Sequence, residues 1–314
     1  MTGSLPEGSL SGPVAVLVNP TAGRGRHSGA LPAVLDALRG SGRPLELVTP
    51  DSAELVTKAC RAALDGGAAV LVAVGGDGTV HLGLQAVAGT GIPYGIVPAG
   101  TGNDIAANLG LQAGTVPAAQ AIARALRDGA TRPVDLGLAE PATGSVRGDG
   151  GARWFAGVLG AGFDAVVNER ANGMRFPRGP RRYDLAIVAE LLRLRPRRYV
   201  IGLNGASLAV DGVLVAVGNT ARYGGGYRIC PTADPSDGLL DVVVGGEFDR
   251  VGLLRILPRV RRGTHLDHPL VTSYRAATVS LDAPGVVAYA DGERIGPLPL
   301  TATCVPGALT LLAP

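Results

Sequence analysis

Aromatic side chains make up only 4% of this 314-residue chain, and Lys58 is the single lysine among 29 basic residues. The first shortage leaves a core of Ala, Val, Leu and Gly, which suits a tightly packed α/β protein. The second leaves Schiff-base chemistry and a Walker-type phosphate lysine with one candidate, and Lys58 falls in a predicted amphipathic helix. Nearly all positive charge is therefore arginine, the better fork for phosphate oxygens. Cysteine is scarce too: Cys60, Cys230 and Cys304 are far apart, form no CxxC and have no metal spacing. They read as reduced, buried thiols of a cytoplasmic protein. A strong charge of either sign is absent, since 29 basic minus 26 acidic residues gives +3, too little for a nucleic-acid binder. No basic segment followed by an apolar one opens the chain, so no signal peptide is expected. Val80–Asn103 carries no charged residue, but glycines and prolines such as Gly83, Pro93 and Pro98 interrupt it, so it is not a membrane span.

What is present points to two domains, because 314 residues exceed what one hydrophobic core usually serves. Up to about residue 137, apolar runs alternate with helical spacing. "VAVLV" (14–18), "LELV" (45–48), "AVLVAV" (69–74) and "YGIV" (94–97) read as buried strands. Between them lie Leu31, Val34, Leu35 and Leu38, and then Leu55, Ala59, Cys60 and Ala63 behind an Asp51/Glu54 capping box. Val80, Leu84 and Val87 follow, and a last helix runs from a Thr115 cap to Gly129. This is the pattern of a parallel sheet with helices on both faces. From residue 138 to 314, short β-rich runs separated by Asn204-Gly205, Asp211-Gly212, Asp237-Gly238 and Asp291-Gly292 predict an antiparallel sandwich, with the last strand free to return to the first domain. One amphipathic helix, about 183–195 with Leu185, Val188, Ala189 and Leu192 inward, interrupts it.

Three glycine-rich loops follow strands in the first half: "VNPTAGRGR" (18–26), "VGGDGT" (74–79) and "VPAGTGND" (97–104). Loops at the carboxyl ends of parallel strands line one crevice. Glycines there let backbone N–H groups converge on phosphate at a helix N-terminus. An acid beside phosphate is repulsive unless a divalent cation stands between them, so Asp77 and Asp104 suggest Mg²⁺ reached through water.

"NPTAGRGR", "GGDGT", "PAGTGND", "PVDLG", "GGGYRICPTADPSDGLLDV" and "DGE" occur in the order and near the spacing of the diacylglycerol kinase catalytic-domain family, which includes bacterial lipid kinases and sphingosine kinases. The resemblance spans nearly the whole chain. GGDGT alone is shared with NAD kinases and phosphofructokinases, whereas the second-half motifs look like a lipid kinase. The resemblance implies an α/β-plus-β fold: a nucleotide-binding parallel-sheet domain of the NAD kinase and phosphofructokinase type, then a β-sandwich, with the active site between them. Carried over by motif, Asn19, Gly75, Gly76, Gly78, Thr79, Gly100, Thr101 and Asn103 would contact ATP. Arg24 stands where many relatives carry lysine or a small residue, and is a candidate phosphate ligand. Asp77, Asp104 and Asp135 would form the Mg²⁺ network, Asp77 being catalytic in this way, and Glu293 would be the general base. Asp237, with carbonyls near Asp234 and Leu239, would hold a second, structural Mg²⁺.

Other motifs have plainer readings. His265 and His268 in "HLDH" read as a solvated loop, Trp154 as core, and Asp291 as a turn residue. Three functions fit the loops: a lipid kinase of phospholipid metabolism, an NAD kinase-like enzyme, and a nucleotide-binding protein without turnover. A lipid substrate requires a peripheral membrane surface. Eight arginines between Arg175 and Arg198 (175, 178, 181, 182, 193, 195, 197 and 198) offer one. A homodimer is compatible with the sequence.

Overall fold

The computed structural model describes residues 3–4, 12–18, 29–142, 151–174, 185–186, 189–190 and 195–313. It divides into two units, Met1–Leu136 with Val305–Pro314, and Gly137–Cys304.

In the first unit, β1 (Gly3–Ser4) pairs with the start of β6 (Ala130–Pro141). β2 (Val14–Val18), β3 (Leu45–Val48), β4 (Val70–Gly75) and β5 (Pro93–Pro98) form a parallel sheet in the order β5–β4–β2–β3. Thr310 and Leu311 of β17 (Leu300–Leu312) add alongside β5, again in parallel. The period-two alternation of strands sorts the side chains. Val14, Val16, Val70, Val72 and Val74 join one cluster with Val34 and Leu38 of α1 (Leu31–Arg39) and Ala119 and Ile122 of α5 (Thr115–Asp128). The opposite face meets α3 (Asp77–Val87): a methyl on Gly83 would come within 2.6 Å of the Tyr94 hydroxyl and 3.3 Å of Leu17. Tyr94 donates to the Val80 carbonyl at 2.7 Å, and its burial pushes its pKa well above the usual phenol value. α2 (Ala53–Asp65) is tied to α3 by the Thr57 hydroxyl and Arg61, which donate to the carbonyls of Leu82 and Gln85. The short α4 (Asp104–Asn108) completes the unit.

The second unit contains two antiparallel sheets. One has the order β10–β9–β14–β17, from Ala206–Gly212, Arg197–Leu203, Thr278–Asp282 and the first half of β17. The other has the order β13–β12–β11–β8–β15–β16, from Val271–Ala276, Leu240–Gly245, Leu214–Gly218, Val158–Gly162, Val287–Ala290 and Glu293–Pro297. β7 (Arg153–Phe155) pairs with the end of β6. Tyr199, Ile201, Val279 and Leu281 of the first sheet pack on Leu159, Val215, Val217 and Val242 of the second, so the core lies between two sheets, as the alternating pattern predicted. The outer face of the second sheet carries Val158, Ala216 and Val243. It is covered by α6 (Phe163–Gly173) and by α7 (Arg250–Arg262), which inserts Leu253, Ile256 and Val260. Among the described residues no helix is long and apolar enough to cross a membrane.

Several local expectations are corrected. Ser52, not Asp51, is the N-cap of α2, and Val56 rather than the 47%-exposed Leu55 faces inward. α5 starts after Gly114, whose φ of 91° favours glycine, while the Thr115 hydroxyl reaches the Pro98 carbonyl at 3.0 Å. Asp211-Gly212 is not a hairpin. Gly212 ends β10, and a methyl there would meet the Gly245 carbonyl at 2.6 Å, so the glycine permits a crossing from one sheet to the other. Asn204-Gly205 does form the expected tight turn, with φ of 49° and 93°. His265 is buried, not solvated; its Nε2 lies 3.0 Å from the Ile229 carbonyl, and burial lowers its pKa. Trp154 is only half-buried, and Phe155 fills the core beside it. Leu185, expected inward, is half-exposed, while Ala186 is buried; Val188 and Leu192 lie outside the described residues. All three cysteines are free and buried, and burial pushes the Cys60 thiol up to about 12.

Leu71 is fully buried in β4, whereas Leu47 on the edge strand β3 is 51% exposed. Leu71→Ala should lower the unfolding free energy by about 2–5 kcal/mol. Leu47→Ala should change it by less than about 0.5 kcal/mol. Denaturant midpoints of the two variants check this.

Candidate active site

β4 and β5 run in parallel with Gly75 opposite Pro98, so their following loops leave the sheet side by side. The Ala99 N–H extends the ladder to the Gly75 carbonyl at 2.8 Å. Beyond it the backbones approach until a methyl on Gly76 would stand 3.1 Å from the Gly100 Cα. A methyl on Gly100 would collide with Gly76 outright. Gly75 is also closed to any side chain, since Thr79 packs 2.5 Å from where its Cβ would be. Asn103 turns left-handed at φ 58° and staples its own loop: Oδ1 accepts the Gly100 N–H at 2.8 Å and Nδ2 donates to the Gly100 carbonyl at 3.0 Å.

The acid among the glycines sits at the first turn of α3, where Oδ1 of Asp77 accepts the Ile105 N–H of α4 at 3.0 Å. A methyl on Gly102 would stand 3.0 Å from Oδ2 of Asp77 and 3.8 Å from Oδ2 of Asp104. Asp77 and Asp104 thus converge beside an open backbone, while Thr101 is exposed at the loop tip. Asp135 is buried in β6 and accepts the Gly307 N–H at 2.8 Å. Among the described residues no three His, Cys, Asp or Glu side chains gather closely enough to hold a metal ion. The Asp77/Asp104 pair fits a hydrated Mg²⁺ held partly by phosphate oxygens rather than a protein cage. Asn19, Arg24 and the arginines from Arg175 to Arg193 lie outside the described residues. Arg195, Arg197 and Arg198 are exposed, and Arg198 pairs with Asp211 at 3.4 Å.

In the second unit Glu293 is exposed at the start of β16, directly after the Asp291-Gly292 turn, where φ is 52° and 87°. Asp291 proves to be more than a turn residue. Its carboxylate accepts the N–H groups of Ala156 at 2.9 Å and Gly157 at 2.8 Å. The buried Asn219 grips the same segment, its Nδ2 donating to the Ala156 carbonyl and its N–H to the Gly157 carbonyl. Asp291 therefore fixes the strand end that presents Glu293. Its partners lie more than 130 positions away in sequence, so nothing local signalled the role.

The loop "PTADPSDGLLD" is held by hydrogen bonds of its own acids and by Arg275. Oδ1 of Asp237 accepts the Leu239 N–H at 2.9 Å, and Oδ2 pairs with Arg275. Arg275 also faces buried Asp241, its cross-strand partner, at 3.4 Å, while the Thr232 hydroxyl donates to the other Asp241 oxygen at 2.5 Å. Asp234 takes the Ser236 hydroxyl at 2.6 Å. Both Asp237 oxygens are engaged, Leu239 turns its N–H to the acid, and a guanidinium supplies the positive charge. In this arrangement the Leu239 N–H and Arg275 occupy the Asp237 carboxylate that a second, structural Mg²⁺ would share.

A strand-and-glycine-loop unit with a β-sandwich unit is the NAD kinase-like class of fold. Residues 13–139 match the diacylglycerol kinase catalytic domain, and residues 157–313 match the YegS C-terminal NAD kinase beta sandwich-like domain. A diacylglycerol kinase of Mycobacterium tuberculosis is 40% identical over 305 residues, covering 96% of each chain. Among solved structures, a diacylglycerol kinase from Bacillus anthracis superimposes with a TM-score of 0.70 at 20% identity, covering 96% of each chain. An NAD kinase from Archaeoglobus fulgidus in complex with ATP reaches 0.50 at 14% identity, covering 96% of this chain and 93% of that one. The chain belongs to the diacylglycerol kinase family of lipid kinases.

The Arg275 arrangement gives a direct expectation. Arg275→Ala should destabilise the fold by about 1–2 kcal/mol, mainly by leaving Asp241 buried without its cation, the exposed Asp237 contact adding little. EDTA should leave the melting temperature of the wild type unchanged in the absence of nucleotide. A saturable rise in melting temperature with Mg²⁺ alone that is lost in Asp237→Asn would show that the loop does hold a metal.

Proposed function

We propose that the protein is an ATP-dependent lipid kinase that transfers the γ-phosphoryl group to a lipid hydroxyl, such as that of diacylglycerol or a sphingoid base. The observation that carries this reading is the pair of touching loops at Gly76 and Gly100 with two carboxylates beside Gly102. Side chains are excluded where backbone N–H groups can lie along phosphates, and the first turn of α3 adds N–H groups that no helix can satisfy internally. Bound Mg²⁺ would neutralise charge on the phosphates. Asp77 and Asp104 would orient it through water, and Thr101 would contact the nucleotide. Glu293 would accept the hydroxyl proton as the lipid oxygen bonds to phosphorus and the bond to the bridging oxygen of ADP breaks. Asp291 would set the direction of Glu293.

Incubation with radiolabelled ATP and a panel of diacylglycerol, sphingosine, ceramide and NAD tests the reading, with label expected in a lipid and none in NAD. Glu293→Gln should reduce kcat by about 10²-fold or more with ATP binding little changed. A change confined to the KM for ATP would remove the base assignment.

Asp77 requires a gentler substitution than alanine, because its carboxylate also holds α4. Asp77→Asn keeps an acceptor for the Ile105 N–H and removes the charge. It should melt within a few degrees of the wild type yet lose turnover by at least about 10²-fold. Activity within twofold of wild type would take Asp77 out of the chemistry.

A further inference from the structure

We propose that the outward face of α7 docks the protein on an anionic lipid bilayer, a choice of partner that rests on the lipid-kinase reading. α7 buries Leu253, Ile256 and Val260 against the second sheet of the sandwich. The rest of the helix faces outward with an ordered distribution. At about 100° per residue, counting from Arg250, Leu254 falls at about 40°, Pro258 at about 80° and Val251 at about 100°. Arg250 and Arg261 lie at about 0° and 20° on one side of this stripe, and Arg262 and Arg255 at about 120° and 140° on the other. The buried residues occupy the opposite arc, about 240° to 300°. All seven outward residues are exposed, Val251 by 51% and Leu254 by 48%.

An apolar stripe flanked on both sides by arginine is not the pattern of a simply solvated helix, which would carry charges of both signs and no central apolar row. It is the pattern of a helix lying in the headgroup region, apolar residues inward and guanidinium groups at the phosphates. Residues 250–262 contain no acid. Glu247 and Asp249 precede the helix, where Asp249 caps it by accepting the Gly252 N–H at 2.6 Å, and Asp267 follows it. An aromatic neighbour extends the surface. Tyr227 stands under Arg261, whose guanidinium is 5.9 Å from the ring centroid.

Sedimentation with vesicles of phosphatidylcholine alone, or with rising phosphatidylglycerol, reads binding without ATP and so without turnover. The wild type should bind in proportion to anionic content and be released by salt. Arg255→Gln with Arg262→Gln should weaken partitioning about 25-fold, taking about fivefold per arginine near an anionic leaflet. Val251→Ser with Leu254→Ser should weaken it by at least about fivefold, and Leu55→Ser on α2 should leave it unchanged. If a double variant fails to fold, Val251→Cys labelled with an environment-sensitive fluorophore takes its place; the native thiols are all buried, so the label is selective, and its emission should shift to the blue on anionic vesicles. Wild type that ignores anionic lipid, variants that bind like wild type, or a label that does not shift would each overturn the docking role. Binding that behaves as expected in a protein that labels no lipid would overturn the kinase reading and leave the docking face standing.

Discussion

The contact between Gly76 and Gly100 is the constraint on which the parallel-sheet unit depends. Two parallel neighbours, β4 and β5, deliver their loops to the same edge at the same height. The loops can close on each other only because neither bears a side chain at the point of contact. Once they touch, the rest follows from local chemistry. Asn103 adopts a left-handed turn to staple its loop, which starts α4 at Asp104, and the Ile105 N–H then points at Asp77. An acid is tolerated among the glycines because the structure gives it a hydrogen-bond donor on one oxygen and leaves the other beside Gly102. Asp77 is thus held by the same contact that keeps the loop edge bare of side chains, and a single methyl at Gly100 would disturb both.

The second unit uses acids in the same double fashion. Asp291 has a left-handed backbone and ties the turn before Glu293 to Ala156 and Gly157, so the position of one carboxylate is set by another. A positioning residue of this kind is cheap to build in a hairpin. The turn already requires a residue that tolerates positive φ, and Asp does so while keeping a charged acceptor.

Strands of the first unit were legible because parallel strands buried on both faces read as unbroken apolar runs, and "VAVLV" and "AVLVAV" could be nothing else. The loops were legible because glycine has a reason to be there that no other residue shares. The second unit was legible as strands and turns but not as a layout. Asp211-Gly212 has hairpin composition, yet what its glycine solves is a close approach to the Gly245 carbonyl, which belongs to a strand more than 30 positions away. His265 failed for a related reason: hydrophilic neighbours suggested solvent, while the ring is buried against the Ile229 carbonyl, 36 positions back in the chain. Local sequence reports backbone propensity well and the far side of a side chain poorly. The positions of Asp135, Asp291 and Arg275 were therefore set by partners the sequence does not place.

The scarcity of lysine acquires a meaning from this geometry. Arg275 lies opposite Asp241 on the neighbouring strand and also reaches Asp237 in the following turn, so one cation serves two carboxylates separated by a bend in the chain. A lysine ammonium is a point charge on a flexible stem and would have to choose between them. A planar guanidinium presents donors along more than one edge and stays charged in a half-buried setting. The same property suits the rim of α7, where arginine can stack on Tyr227 and still address phosphate oxygens. In both places the chain carries a cation that is directional and weakly hydrated, which a lysine is not.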